Sequence, residues 1–182
     1  MFAEEKNKKC LNEICKIYSG NSLTANDISD EESSENKYPV YGGHGLRGYY
    51  STFNCTGEKV LVGRVGAQAG NVLLGTGKYF ATEHALICDL FVDSVDPLWL
   101  MYCLELENLF KLAKGAAQPV IAASALGKLE IPMPEYHKQL AFSNFYRQSD
   151  KSKFAVQNFS NLNLWSSSDQ PKKCRLRNWP LS

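Results

Sequence analysis

The sequence predicts an α+β fold: a globular domain built on a curved, mixed β-sheet with a few helices, followed by a long C-terminal helix of the coiled-coil type. Three observations predict it. Between residues 38 and 92, short β-branched and aromatic runs alternate with glycines, the pattern of strands cut by tight corners. From Asp96-Pro97 onward, apolar residues recur at helical spacing. Beyond Pro134 glycine vanishes and proline is absent up to residue 168, while apolar positions recur at steps of three and four.

The opening CLNEICKIYSG reads as a short helix or turn running into a strand. NSLTANDISDEESSENK follows, too polar and acidic to fill a core, and is expected to form a surface loop. Candidate strands then lie at 38–41, 48–50, 59–62, 71–74 and 85–92. Asp96 supplies an N-cap and Pro97 a first-turn proline. After them Leu100, Cys103, Leu104, Leu106, Leu109, Phe110 and Ala113 keep helical spacing, so the helix is predicted to run until Gly115. Residues 115–125 read as a loop, and 128–133 as a last strand stopped by Pro132 and Pro134.

The final helix is predicted over 135–165, with Ala141, Phe145, Gln148, Ser152, Ala155, Phe159 and Leu162 as its seam. At ~1.5 Å per residue it would reach about 45 Å, too far to fold back on so small a domain, so it is expected to pair with another helix. Gln148 and Ser152 make the middle of that seam polar, which weakens a lone coiled coil. Three regions result: a domain over 1–134, the long helix over 135–165, and a poorly ordered tail over 166–182.

With 182 residues, 44% of them hydrophobic, the chain can bury one core. It lacks the run of about 18 to 20 apolar residues that a membrane span requires, and MFAEEKNKKC lacks the apolar centre of a signal peptide, so a soluble cytoplasmic protein is expected. Its six cysteines include no C-x-x-C pair, and Cys88 and Cys103 sit in apolar runs, which favours structural thiols over a disulfide framework or zinc site. The net charge of +1 is a faint footprint for a nucleic-acid binder. Acids prevail before Lys37, and the C-terminal basic residues read as a solvated face.

The glycine clusters invite phosphate-loop readings that the spacing defeats. Gly75-Thr76-Gly77-Lys78 has Val72 where a Walker loop needs its first glycine and Tyr79 where it needs Ser or Thr. The segment 63–70 does not fit G-x-G-x-x-G and precedes a strand instead of opening a helix. His44, His84 and His137 are not spaced as metal ligands. Glu83 and His84, as strand neighbours, are expected to point to opposite faces and so to share no substrate. What remains is a set of loops interleaving arginine, glutamine and aromatics: Arg47 with Tyr49 and Tyr50, Arg64 with Gln68, and Lys114 with Gln118. Arg forks onto guanine, Gln pairs with adenine, and Lys or Tyr holds phosphate, although glycine-flanked Arg and Tyr equally serve as loop anchors.

In order and spacing, LNEICKIYSG, YPVYGGHGLRGYY, VLVGRVGAQAGNVLL, KYFATEHALIC, DPLWLMYCLEL, GAAQPVIAASALGKLEIPMP and EYHKQ resemble the target-recognition domain of type I restriction-modification specificity subunits. The resemblance extends from Leu11 to about Leu162. It implies that the domain reads one half of a split site in double-stranded DNA, and that the following helix is a spacer and docking surface for methyltransferase subunits, which in turn bring the restriction subunit. It also implies a non-catalytic chain with no cofactor, and the sequence lacks both a Walker loop and the [ND]-P-P-[YF] motif of adenine methyltransferases. Candidate DNA contacts are Arg47, Tyr49, Tyr50, Arg64, Gln68, His84, Lys114 and Gln118. Such subunits generally carry two domain–helix units and this chain has one, so three explanations stay open: a half-size subunit that homodimerises through the C-terminal helix, with inverted half-sites, a truncated gene, or an excised fragment of a longer protein. Two other classes stay open: an enzyme holding a small anion or nucleotide at the glycine-rich corners, and an interaction-only remnant.

Overall fold

A computed structural model describes residues 7–150 of the chain. Strand β1 (Lys8–Cys10) leads into a 3-10 turn, Leu11–Glu13, in which the Cys10 N–H donates to the Glu13 carboxylate at 2.6 Å. Then come β2 (Cys15–Ser19) and an acidic loop with a single 3-10 turn, Ala25–Asp27, so both features expected of the first 37 residues are present. Next follow β3 (Tyr38–Gly42), β4 (Gly45–Tyr50), β5 (Cys55–Thr56), β6 (Lys59–Gly63), β7 (Val72–Gly75), β8 (Lys78–Ala81) and β9 (Ala85–Leu90). The described residues end with α1 (Pro97–Leu106), a 3-10 turn at Leu109–Leu112, α2 (Ala123–Leu126), β10 (Glu130–Pro132) and α3 (Tyr136–Asp150).

The fold is α+β, but it holds three sheets where one was predicted. An antiparallel sheet of order β2-β9-β6-β7 stands at the centre. A mixed sheet, β4-β3-β8-β5, has β3 and β8 parallel, and β1 pairs with β10. The central sheet is buried on both faces, which is why its strands read as nearly continuous apolar runs. Val60, Val62, Leu86 and Cys88 face the larger core, beside the fully buried Trp99 and Leu100 of α1. Leu61, Leu73 and Ile87 face the other way and meet Cys55, Tyr79 and Ala81 of the second sheet. The result is three layers: helix, sheet, sheet.

The corner Gly75-Thr76-Gly77-Lys78 carries the chain from the central sheet to the second one. Gly77 takes φ +68°, and a Cβ on Gly75 would lie 2.5 Å from the Tyr79 ring, so the glycines serve the turn. The five described thiols are unbridged: Cys15, Cys55, Cys88 and Cys103 are buried, and Cys10 is half-buried.

α1 begins as predicted, with Asp96 accepting from the Trp99 N–H at 2.9 Å, but it stops at Leu106 and not at Gly115. Glu107 turns extended (ψ 138°), and the chain restarts as a separate 3-10 turn that buries Leu109 and exposes Phe110. The stretch 115–125, expected to be a loop, ends in the short helix α2.

α3 lies against α1, its Phe142 ring edge-on to Trp99 at 5.2 Å. The side it turns to the domain carries Gln139, Phe142, Ser143 and Tyr146. Of the predicted seam, Ala141 and Gln148 are exposed and Phe145 is half-buried, on a different face. Ser152, Ala155, Phe159 and Leu162 lie outside the described residues, as does the tail over 166–182.

Candidate nucleic-acid interface

Four connections meet at one end of the sheets: the β3–β4 turn, the β6–β7 loop, the β8–β9 turn and the loop at 114–120. Glycines let them touch. A Cβ on Gly63 would stand 2.5 Å from the Gln68 carbonyl oxygen and 2.6 Å from that of Gly43, and one on Gly43 would stand 3.2 Å from the His84 oxygen. Backbone hydrogen bonds then lock the loops together. The Arg64 N–H donates to the His84 oxygen at 2.9 Å, the Ile121 N–H to the Arg64 oxygen at 2.9 Å, and the Gly66 N–H to the Pro119 oxygen at 2.9 Å. Lys114 and Val120 exchange bonds of 3.0 and 2.9 Å, which pinches the loop and lifts residues 115–118 into solvent.

This scaffold brings together the loops that bear Arg64, Gln68, His84, Lys114 and Gln118. Lys114 and Gln118 are exposed, Gln68 is half-buried in the 3-10 turn Gly66–Gln68, and the His84 side chain is 47% exposed. Arg64 is half-buried, with its Nε enclosed and without a partner. Arg47 stands next to them on β4, its Cδ 2.7 Å from where a Cβ on Gly42 would be, close to the Thr82 hydroxyl. The Thr82 Oγ1 and Glu83 Oε2 atoms are also buried without partners, so three of the unpaired buried polar side-chain atoms among the described residues fall in these two connections.

Tyr49 and Tyr50 do not join this group. The Tyr50 ring packs edge-on to Phe80 at 5.5 Å, and Tyr49 exchanges backbone hydrogen bonds of 2.8 and 2.9 Å with Ser29. That pairing lays the acidic loop, with Asp27, Asp30, Glu31, Glu32 and Glu35, along the outer edge of β4, where it repels phosphate. The expectation for Glu83 and His84 is overturned: they occupy a turn and not a strand, with His84 Nε2 3.5 Å from Glu83 Oε1. His44, read from sequence only as not spaced for a metal, is exposed by the β3–β4 turn at the same end; its flanking glycines in GGHG were the available signal.

The open cleft beside the β6–β7 loop measures about 300 Å³ and is lined by residues 67–71 and 107–110. Its one charged lining side chain is the Glu107 carboxylate, ion-paired with Lys111 at 3.0 Å, and no cationic side chain lines it, so the cleft gives no support to the small-anion reading. Among the described residues no three His, Cys, Asp or Glu side chains stand together as metal ligands, and no helix is long and apolar enough to cross a membrane.

Comparison with known proteins agrees with this architecture. Residues 3–161 match the family described as type I restriction modification DNA specificity domain. The chain is 34% identical over 136 residues to the type I restriction enzyme EcoprrI specificity subunit of Escherichia coli, which covers 75% of this chain and 34% of the relative. The S subunit of a type I restriction-modification system from M. genitalium shares the fold with a TM-score of 0.69 at 23% identity, over 86% of this chain and 41% of that one. A structure described as the basis of complex assembly and conformational transition of the type I R-M system gives 0.62 at 20% identity, over 86% and 41%. The chain thus spans about a third to two-fifths of the length of these relatives. With that match running through all three sheets, the converging loops and α3 as described, the chain belongs to the type I restriction-modification DNA specificity family.

Proposed function

We propose that this chain is a DNA target-recognition unit of a type I restriction-modification complex, reading one half-site and catalysing nothing itself. The observation that carries the reading is the convergence of Arg64, Gln68, His84, Lys114 and Gln118, with Arg47 beside them, on loops held at one end of a rigid sheet pair. Arg64 and Arg47 suit guanine, Gln68 and Gln118 suit adenine, and Lys114 suits phosphate. Tyr49 and Tyr50 belong to the wall behind these loops. The near-neutral charge leaves the lone domain with weak affinity, so methyltransferase subunits supply many of the phosphate contacts in the assembled complex.

In this reading the recognition domain ends at Pro134, and the helix that begins as α3 continues to about residue 165 as a spacer. Along its seam Ala141 and Gln148 are exposed and Phe145 is half-buried, which supports pairing with a second such helix on that side. Two copies related by a twofold axis run these helices antiparallel and read inverted half-sites, and the restriction subunit joins through the methyltransferase. The complex works in the cytoplasm, where its DNA is.

The test is methylation mapping in a host that expresses the chain with its neighbouring methyltransferase subunit. A new split motif that disappears with the chain supports the reading, and identical inverted halves support the homodimer. Absence of any new motif from an assembled complex overturns it in favour of an interaction-only remnant.

A further inference from the structure

A buried polar cluster ties α3 to the domain. Gln139 is fully buried, and its Oε1 accepts from the Asp96 N–H at 3.0 Å while its Nε2 donates to the carbonyl oxygens of Ser94 and Pro134 at 3.2 and 2.8 Å. The Ser143 hydroxyl, also buried, donates to Asp96 Oδ1, the same oxygen that caps α1 through the Trp99 N–H. One carboxylate and one amide thus hold the starts of two helices. Beyond them Tyr102, Phe142 and Tyr146 stack with centroids 4.6 to 6.1 Å apart, and Arg147 reaches Glu58 with two contacts of 3.1 Å.

A hydrophobic face alone would hold α3 as firmly while tolerating small slides and rotations; hydrogen bonds fix direction. A shared amide with all three of its bonds made permits one register, because any shift orphans buried groups. We infer that Gln139, Ser143 and Asp96 are positioning residues that set the angle between the base-reading loops and the spacer helix, and through it the number of base pairs between half-sites. The lever is sensitive. A tilt of about 12° at Gln139 swings Asp150, ~16 Å further along α3 at ~1.5 Å per residue, by about 3.4 Å, one base-pair step.

The inference rests on the specificity reading proposed above, and the experiment separates the two. The full chain, co-assembled with its methyltransferase subunit, is offered DNA carrying the mapped half-sites at every spacer length within three base pairs of the natural one. If the wild-type complex methylates no split site, the specificity reading fails and takes the inference with it. If it methylates one length, Gln139→Leu and the milder Ser143→Ala are expected to keep the half-site letters while methylation at neighbouring lengths, relative to the natural one, rises severalfold. A merely structural role lowers methylation at all lengths in proportion. An unchanged length preference in Ser143→Ala, or loss at every length in both variants, overturns the inference even though the specificity reading stands.

Discussion

Substituting Gly63 by alanine tests whether the loop cluster depends on backbone contact. Gly63 needs no unusual dihedral, so the effect is steric alone. The new methyl group would meet the carbonyl oxygens of Gln68 at 2.5 Å and Gly43 at 2.6 Å, each shorter by most of an ångström than the 3.4 Å where ordinary contact begins. Both are main-chain atoms in loops already fixed by hydrogen bonds, so no side chain can rotate away and the connections must part. Overpacking of this kind costs ~1–3 kcal/mol. At ~2 to 4 °C per kcal/mol for a chain of this size, a cost of about 2 kcal/mol lowers Tm by ~4–8 °C. Thermal and urea unfolding followed by circular dichroism measure it. Gly127→Ala is the control: its backbone is already right-handed helical, and its nearest contacts are 3.3 Å. In the complex, Gly63→Ala should also blur base preference at several positions together, since it moves more than one loop. A Tm within a degree of wild type, together with an unchanged recognised motif, would refute the claim that these loops are held by close approach.

Three further outcomes follow from the same structure. Gln139→Leu keeps volume but orphans the Asp96 N–H and the carbonyls of Ser94 and Pro134, and should cost about 2–4 kcal/mol in urea unfolding. Arg64→Ala and Arg47→Ala should each lower discrimination by ~1–3 kcal/mol at one base position if the arginine forks onto guanine. Binding titrations that show equal weakening on all sequences would reassign them to phosphate. Burial, then the Asp89 carboxylate to which its hydroxyl donates at 3.2 Å, pushes the Tyr18 phenol up to about 12. Because that folded value lies above the ordinary one, the stability it contributes is intact below pH ~10 and is lost as pH rises through about 12. Tyr18→Phe should flatten this alkaline loss and remove a late-titrating tyrosine from the absorbance curve.

Strands were legible where local composition decides them. The run Lys59–Gly63 holds three consecutive β-branched or leucine residues, and it forms β6, an inner strand of the central sheet with both faces buried. Lys78–Ala81 gave no comparable signal: its apolar stretch is short, and its parallel partner, β3, lies far back in the chain. Lys8–Cys10 is charged and becomes a strand only by pairing with residues 130–132. Helical spacing continued past Leu106 because Leu109 does return to the core, but it does so after an extended Glu107 that periodicity cannot register. The residue types of the candidate interface were likewise readable, whereas their grouping depends on the approach of Gly43 to Gly63, twenty residues away in sequence. Tyr49 and Tyr50 follow Arg47 closely, yet at ~3.3 Å per residue a strand carries them some way from the β3–β4 turn.

The pairing of β1 with β10 has a consequence for how such units are put together. The Met133 N–H donates to the Asn7 oxygen at 2.8 Å and the Asn7 amide returns a bond of 3.1 Å, so the polypeptide enters and leaves the domain side by side. A body with adjoining entrance and exit behaves as a cassette: it can be spliced between helices, duplicated in tandem or exchanged for another of different DNA preference without rerouting the chain around it. Retargeting by module exchange should therefore succeed with junctions placed just outside this two-stranded clip, and should fail when a junction falls between its strands and the rest of the core.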